Sequence, residues 1–414
     1  MRASAFFQWH EYRFNNFLYQ AGYNARSYFP SRNMNNQEKN LDWIQVLRGI
    51  AALLVVLVHA RYALLNTDSF PLAQQLFVPG AMGVDLFFLI SGFIMCYSTA
   101  GSDGSVGAVA RFAIKRFARV WPVYVAVTLV AIFVLNGGID YFHVAENRKR
   151  FWHSIGMLPF NPHYPPYFSL TLLVAWTLVF EMYFYLAFAA SMLFRRLRWF
   201  VLASWVLLTV VLLPLGQRGF DFDVTRDLGY AGYMSVVTNG FVLEFMAGVL
   251  VGWLYLRPWF RLRNAQVCWH LAGCSTAFAL WAIYSFAVDT HGPNKYGWPL
   301  ALMMLCLALA SKTVRLPAPR FLLWLGTVSY SLYLTHPVTQ GLVTQWMTKA
   351  GASSQAHSWG YMFVSTALAL PVAALSHRYL EQGLSESVRR GLLRLLPRKA
   401  PALQAVPVKA AREA

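Results

Sequence analysis

The sequence predicts an all-α polytopic membrane protein of about ten transmembrane helices, with both termini in the cytoplasm. Three observations carry that prediction. Of 414 residues, 57% are hydrophobic and 13% charged, and the mean hydropathy is +0.42, the composition of a chain that mostly faces lipid. Apolar runs of the length needed to cross a hydrocarbon core of roughly 30 Å alternate with short charged loops. The basic residues are concentrated in every second loop.

Residues 1–40 are polar, aromatic and rich in Asn, without the apolar core of a secretory signal, and are expected to form an N-terminal extension. Ten apolar segments follow at about 44–64, 81–98, 120–136, 170–194, 199–215, 237–256, 267–287, 298–311, 322–343 and 359–378. With the N-terminus inside, 26 of the 35 Lys and Arg fall in inner segments, eight in outer loops and Arg48 within the first span. The membrane domain is bounded at 41–381. Residues 382–414 form a basic, Ala- and Pro-rich cytoplasmic tail that reads as a tether near anionic lipid.

The net charge of +18 sits in the loops between spans and does not mark a nucleic-acid partner. Cys96, Cys268, Cys274 and Cys306 lie in or beside apolar segments and read as packing residues, not a disulfide framework. The outer loop at about 137–169 holds His143, His153 and His163 without close-spaced ligand pairs, so no metal site is predicted. A second outer loop, about 216–236, is mixed in charge.

Ionisable groups inside apolar runs are costly, and they mark the candidate chemistry. LRGIAALLVVLVHA, Leu47 to Ala60, separates Arg48 from His59 by eleven residues, about three turns and roughly 16 Å along one helical face. Ala52 and Val55 form a narrow stripe between them, along which something slender is expected to lie. In GVDLFFLISGF the second span brings Asp85 to the depth of His59, where a carboxylate orients an imidazole and raises its basicity. The plainer reading is a pair that locks two helices. Arg116 and Arg119, three apart before Trp121, present forked donors suited to phosphate, or else set topology.

Thr177, Glu181 and Tyr185 share a face of the fourth span, with Glu181 near mid-membrane, where a carboxyl must be neutral, paired or beside water. In LGTVSYSLYLTHPV the residues Ser329, Tyr333 and His336 share a face, and Pro337 opens the local backbone bonding. Glu244, and Arg378 beside His377, read as structural.

Taken together, LRG with ten residues between Arg48 and His59, GVDLFFLISGFIM, RFARVWPVY, WTLVFEMYFY and LGTVSYSLYLTHP resemble the membrane acyltransferase-3 family, in order over about Asp42 to Glu381. The similarity is to stand-alone bacterial members that modify exopolysaccharides or related glycans. It implies transfer of an acyl group, commonly acetyl from acetyl-CoA, to a carbohydrate hydroxyl at the outer face of the bacterial cytoplasmic (inner) membrane. The family's Arg and His motif falls on Arg48 and His59, its Arg pair on Arg116 and Arg119, its Ser-Gly on Ser91 and Gly92, and its span-four acid on Glu181. Its closing Glu-x-Pro is not kept, since Gln382 and Gly383 follow Glu381, which argues against a role for that acid. No appended esterase-like domain is expected, so acceptor handling falls to the membrane domain or to polysaccharide-assembly partners.

Residues and resemblance converge on one expected scheme. CoA phosphates meet Arg116, Arg119 and Arg48 from the cytoplasm, and the pantetheine arm climbs to His59. That imidazole is either the general base on a sugar hydroxyl, oriented by Asp85, or the carrier of the acyl group. Glu181 is a further catalytic candidate, while Ser91, Tyr333 and His336 line the substrate cavity. The expected partners are a carbohydrate acceptor and membrane lipid, with acetyl-CoA as donor and neither metal nor nucleic acid. A transporter or flippase of glycan or lipid-linked substrates is the competing class, although inverted repeats and paired broken helices are not apparent. A non-catalytic scaffold is the third.

Overall fold

The computed structural model describes residues 41–285, 291–352 and 356–397; the N-terminal extension and the tail from 398 lie outside the described residues. Among the described residues every regular element is helical. A bilayer demands this of any segment whose backbone polar groups must be satisfied internally.

The first two spans are α1 (Asp42–Ala60) and α3 (Met82–Ser98), joined through the short α2 (Phe70–Phe77). α4 (Val106–Leu135) starts at a cap in which the Ser105 hydroxyl accepts the Ala108 N–H, and it runs for 30 residues, so the basic stretch from Arg111 to Arg119 is helical. α5 (Ala145–Ile155) lies in the long connection to α6 (Trp176–Met192). Next come α7 (Arg198–Val206, prolonged through a π-helical stretch to Gln217), α8 (Phe241–Tyr255), α9 (Ala265–Ser285) and α10 (Trp298–Ser311). α11 (Arg320–Thr327), α12 (Ser329–Lys349) and α13 (Trp359–Ser376) complete the bundle.

Seven helical stretches among the described residues are long and apolar enough to cross a membrane. The segments expected at 237–256, 298–311 and 322–343 fall outside that set for two physical reasons. α8 and α10 are only 15 and 14 residues long. α12 has 21 residues but is polar, because Ser331, Thr335, His336 and Thr339 are buried against protein.

Close helix approach is made by small residues, as lipid offers no hydrophobic driving force between helices. α3 and α8 form the most intimate pair. A Cβ on Gly92 would strike the Phe245 carbonyl oxygen, one on Gly248 the Leu89 carbonyl oxygen, and one on Gly252 would lie 2.9 Å from the Phe93 carbonyl oxygen. Gly326 of α11 meets the Gln45 carbonyl on α1 in the same way. Beside the α3–α8 contact, Phe88, Phe180, Phe184, Phe241 and Phe245 fill the core, with Phe184 and Phe245 stacked at 4.3 Å.

The segment expected to be a tether from residue 382 is helical as far as Arg394. α13 passes into a π-helical stretch, His377–Ser385, and then into α14 (Glu386–Arg394), and both pack on α4. Glu386 holds Arg389 at 2.6 Å and Arg390 at 3.7 Å, which tempers the charge of this basic helix.

Candidate active site

Polar residues gather at two places along α1. Near its start, Arg48 donates to Gln45 Oε1 at 3.2 Å and to Ser329 Oγ on α12 at 3.0 Å. Arg119, Glu381, Glu181 and Tyr185 all lie within electrostatic reach of it. The Tyr185 hydroxyl donates to Glu181 one turn back on α6, so this half-buried carboxyl is hydrogen-bonded, as the cost of burial requires. Arg116 donates to Ser98 Oγ at 3.1 Å, and its guanidinium lies 5.4 Å from the Phe112 ring and 5.5 Å from the Tyr185 ring. Three guanidiniums from two helices thus lie within electrostatic reach of one carboxyl–phenol pair, a juxtaposition the spacing of these residues in sequence does not reveal.

Glu381, discounted for its unusual flanking sequence, belongs to the same centre. Its Oε1 accepts the N–H of Ser331 at 3.1 Å and the Ser331 hydroxyl, and lies 3.2 Å from His377 Nδ1. The wide turn of the π-helical stretch carries it there without the missing proline.

Near the other end of α1, His59 Nδ1 is 2.9 Å from the carbonyl oxygen of Val55. A carbonyl only accepts, so Nδ1 carries the proton and Nε2 keeps its lone pair. The His336 ring stands 4.9 Å away by centroids, itself donating from Nδ1 to Leu332 O at 3.1 Å, fully buried and, among the described residues, with no hydrogen-bond partner at Nε2. Tyr333, expected to line a cavity, spends its hydroxyl on Val174 O and Thr177 Oγ1, both at 2.9 Å, and so ties α12 to α6. Ser91 remains half-buried on α3.

Two expectations are corrected here. Asp85 does not orient His59: its Oδ2 lies 2.6 Å from His291 Nδ1 and its Oδ1 accepts the Gly292 N–H at 3.0 Å. The chain leading into α10 reaches Asp85 first and occupies both oxygens. Nor is the stripe between Arg48 and His59 open. Ala52 is 0% and Val55 2% exposed, because their small side chains let Leu325, Val328 and Leu332 pack onto α1 around Ala52, and Val84 and Phe88 of α3 reach the core beside Val55.

The loop histidines are spread over separate partners. His143 pairs with Asp140 at 3.3 Å, His153 with the Pro159 carbonyl at 3.0 Å and His163 with Asp227 at 3.0 Å. Among the described residues no group of three or more His, Cys, Asp or Glu is placed to hold a metal ion. Cys96, Cys268 and Cys306 are buried, whereas Cys274 is exposed, and all four are free thiols.

The His163–Asp227 contact joins the two long loops. The Gly229 N–H, aided by His163, holds the Asp227 carboxyl below its ordinary range. A depressed folded-state pKa stabilises above the unfolded value and is lost as pH falls through the folded one. Hydrogen exchange over residues 161–168 is therefore expected to stay slow at neutral pH and to rise only below the usual carboxylate range. In Asp227→Asn it should be fast already at neutral pH; equal exchange in both proteins would show that the contact holds nothing.

A helical bundle of membrane-spanning character carries a half-buried arginine centre at one end of α1 and a pair of imidazoles, His59 and the fully buried His336, at the other. The chain belongs to the acyltransferase-3 family, whose model, described as an acyltransferase domain, matches residues 41–378. It is 28% identical over 320 residues to the exopolysaccharide production protein ExoZ of Rhizobium meliloti (strain 1021), covering 76% of this chain and 94% of that one. To nodulation protein 10 of Rhizobium leguminosarum bv. viciae it is 26% identical, over 73% of this chain and 81% of the other. It is 24% identical to the peptidoglycan O-acetyltransferase OatA of Listeria monocytogenes, over 86% of this chain and 56% of that protein. No solved structure matches the chain significantly. The protein is an acyltransferase that transfers groups other than aminoacyl groups.

Proposed function

We propose that the protein moves an acetyl group from acetyl-CoA, bound at the cytoplasmic face of a bacterial inner membrane, to a hydroxyl of a cell-surface carbohydrate. The observation that carries this reading is the placement of Arg48, in the arginine centre, and His59, beside His336, on one helix, eleven residues or about 16 Å apart. That interval suits the pantetheine arm of a carrier whose phosphates are held at one end and whose thioester reacts at the other. The names of the relatives in exopolysaccharide production and peptidoglycan O-acetylation favour a carbohydrate acceptor and an acetyl donor. The many basic residues on alternate loops favour cytoplasmic termini and an inner-membrane location. Anionic lipid and proteins of polysaccharide assembly are its proposed partners.

In this scheme Arg48, Arg116 and Arg119 hold the CoA phosphates, and Glu181 with Tyr185 keeps the guanidiniums apart and aimed. With the Ala52–Val55 stripe closed, the arm runs along the half-buried edge of α3 at Phe87 and Ser91. His59 meets the thioester with its Nε2 lone pair. Its Nδ1 is bound to a backbone carbonyl and not to a carboxylate, an arrangement suited to a neutral nucleophile that carries the acyl group.

The test is transfer of label from [acetyl-14C]acetyl-CoA to unacylated surface polysaccharide, isolated from cells lacking the gene, by purified protein in nanodiscs. Label in the polysaccharide is the expected result; a transporter or scaffold would leave it unlabelled. Arg119→Ala is expected to weaken CoA binding by about 10-fold or more, since charge-assisted hydrogen bonds contribute about 1.5–3 kcal/mol. Isothermal titration with CoA measures this, and an unchanged Kd would assign Arg119 to topology alone.

A further inference from the structure

We infer that His291, held by Asp85, is the general base that takes the proton from the acceptor hydroxyl. The inference rests on the acyl-transfer reading above and adds a residue to it. Asp85 is completely buried, and His291 and Gly292 together wrap its two oxygens, with Nδ1 at 2.6 Å and the glycine N–H at 3.0 Å. Gly292 makes this wrap with φ of +130°, a backbone geometry closed to other residues without strain. The imidazole is walled by Trp176, Phe241 and Tyr296, at 5.6, 5.8 and 6.0 Å between centroids, so its ring plane is set as firmly as its tautomer.

A carboxylate that accepts from Nδ1–H leaves Nε2 as the basic atom and stabilises the imidazolium that forms when it takes a proton. His59 has no such partner, its Nδ1 being spent on a carbonyl. His291 lies within electrostatic reach of His59, and its side chain is 11% exposed against 0% for Asp85. Glu244 of α8, 2% exposed, packs beside Asp85 and against Gly297. Three ionisable groups are thus collected where an apolar trio would lock the same helices at lower cost.

The two histidines then divide the reaction. His59 Nε2 attacks the thioester carbon, the C–S bond breaks and CoA leaves as thiolate. The acceptor hydroxyl oxygen next attacks the acyl carbon as its proton passes to His291 Nε2. The ester C–O bond forms, the C–N bond to His59 breaks, and that electron pair restores neutral His59. The proton on His291 is released to solvent, matching the one the thiolate takes up.

The experiment uses full-length protein in nanodiscs with [acetyl-14C]acetyl-CoA and the unacylated polysaccharide as acceptor. His291→Ala is expected to lower transfer about 10²- to 10³-fold while CoA release without acceptor stays within threefold of wild type. Added imidazole should restore at least tenfold of the lost rate. His291→Gln keeps an N–H for Asp85 but has no base, so it should fold like wild type and show the same loss. Asp85→Asn should lower transfer and move the acid limb of the kcat/KM profile. Transfer within threefold of wild type in folded His291→Gln overturns the inference, as does equal loss of donor-side CoA release and polysaccharide labelling. A wild-type protein that labels nothing instead overturns the donor and acceptor proposed above.

Discussion

Replacing His59 by alanine is expected to abolish acyl transfer, by at least about 10³-fold, while CoA affinity stays within threefold of wild type. The magnitude follows from removal of the only atom proposed to bond to the acyl carbon, and nucleophilic catalysis splits one difficult step into two easier ones. The sparing of affinity follows from geometry. CoA phosphates are assigned to Arg48, Arg116 and Arg119, about three helical turns away, so binding and chemistry separate along α1. Among the described residues, His59 bonds through Nδ1 to the Val55 carbonyl of its own helix and makes ring contact with His336, so its loss is expected to leave the bundle intact. Single-turnover labelling of polysaccharide, alongside titration with CoA, measures both quantities. Transfer at the wild-type rate by a folded, CoA-binding variant would remove His59 from the mechanism.

Gly248→Val is expected to leave no monodisperse folded protein. Even a Cβ at this position would overlap the Leu89 carbonyl oxygen, and the neighbouring contacts at Gly92 and Gly252 fix the same α3–α8 crossing. α3 cannot retreat, because Gly83 on its other side also lies against α1, where a Cβ would overlap the Ala51 carbonyl oxygen. Overpacking in a core typically costs about 1–3 kcal/mol, but here the clash is with backbone on both sides, and two branched methyls add to it. Gly273→Ala, whose new Cβ meets nothing within 4 Å, serves as control and should behave as wild type. Fluorescence-detected size exclusion and thermal unfolding in detergent compare the three proteins; a Gly248→Val profile like that of Gly273→Ala would refute the close-packing argument.

Much of the fold was legible because lipid leaves few choices: apolar length, charge asymmetry and interruptions by polar loops suffice to delimit most helices. α12 shows the limit of that reading: the single segment expected at 322–343 is divided at Val328 into α11 and α12, and the first half of α12 buries Ser331, Thr335, His336 and Thr339 against protein and so needs little apolar surface. The residues of the arginine centre were legible for a related reason. Arg48 and Glu181 are costly in the apolar runs where they stand, and Arg116 with Arg119 is marked by its spacing of three in the basic stretch before Trp121. The partner of Asp85 was not, because His291 sits in a connection where a histidine costs nothing and no spacing rule links it to a residue some 200 positions earlier. Glu381 escaped for a third reason. Its placement depends on a change of helical pitch that periodicity at 3.6 residues does not anticipate.

That change of pitch makes the chain unequally tolerant of length mutations. Removing one residue from the exposed turn at Gly219 or Gly232 shortens a loop and leaves both of its ends where they were. Removing one residue between His377 and Glu381 rotates everything beyond it by about 100°. Glu381 then leaves Ser331 and the arginines, and α14 turns its other face to α4. The number of residues in this segment is therefore fixed more tightly than that in either loop, although the segment contributes no atom to the proposed chemistry of the imidazoles.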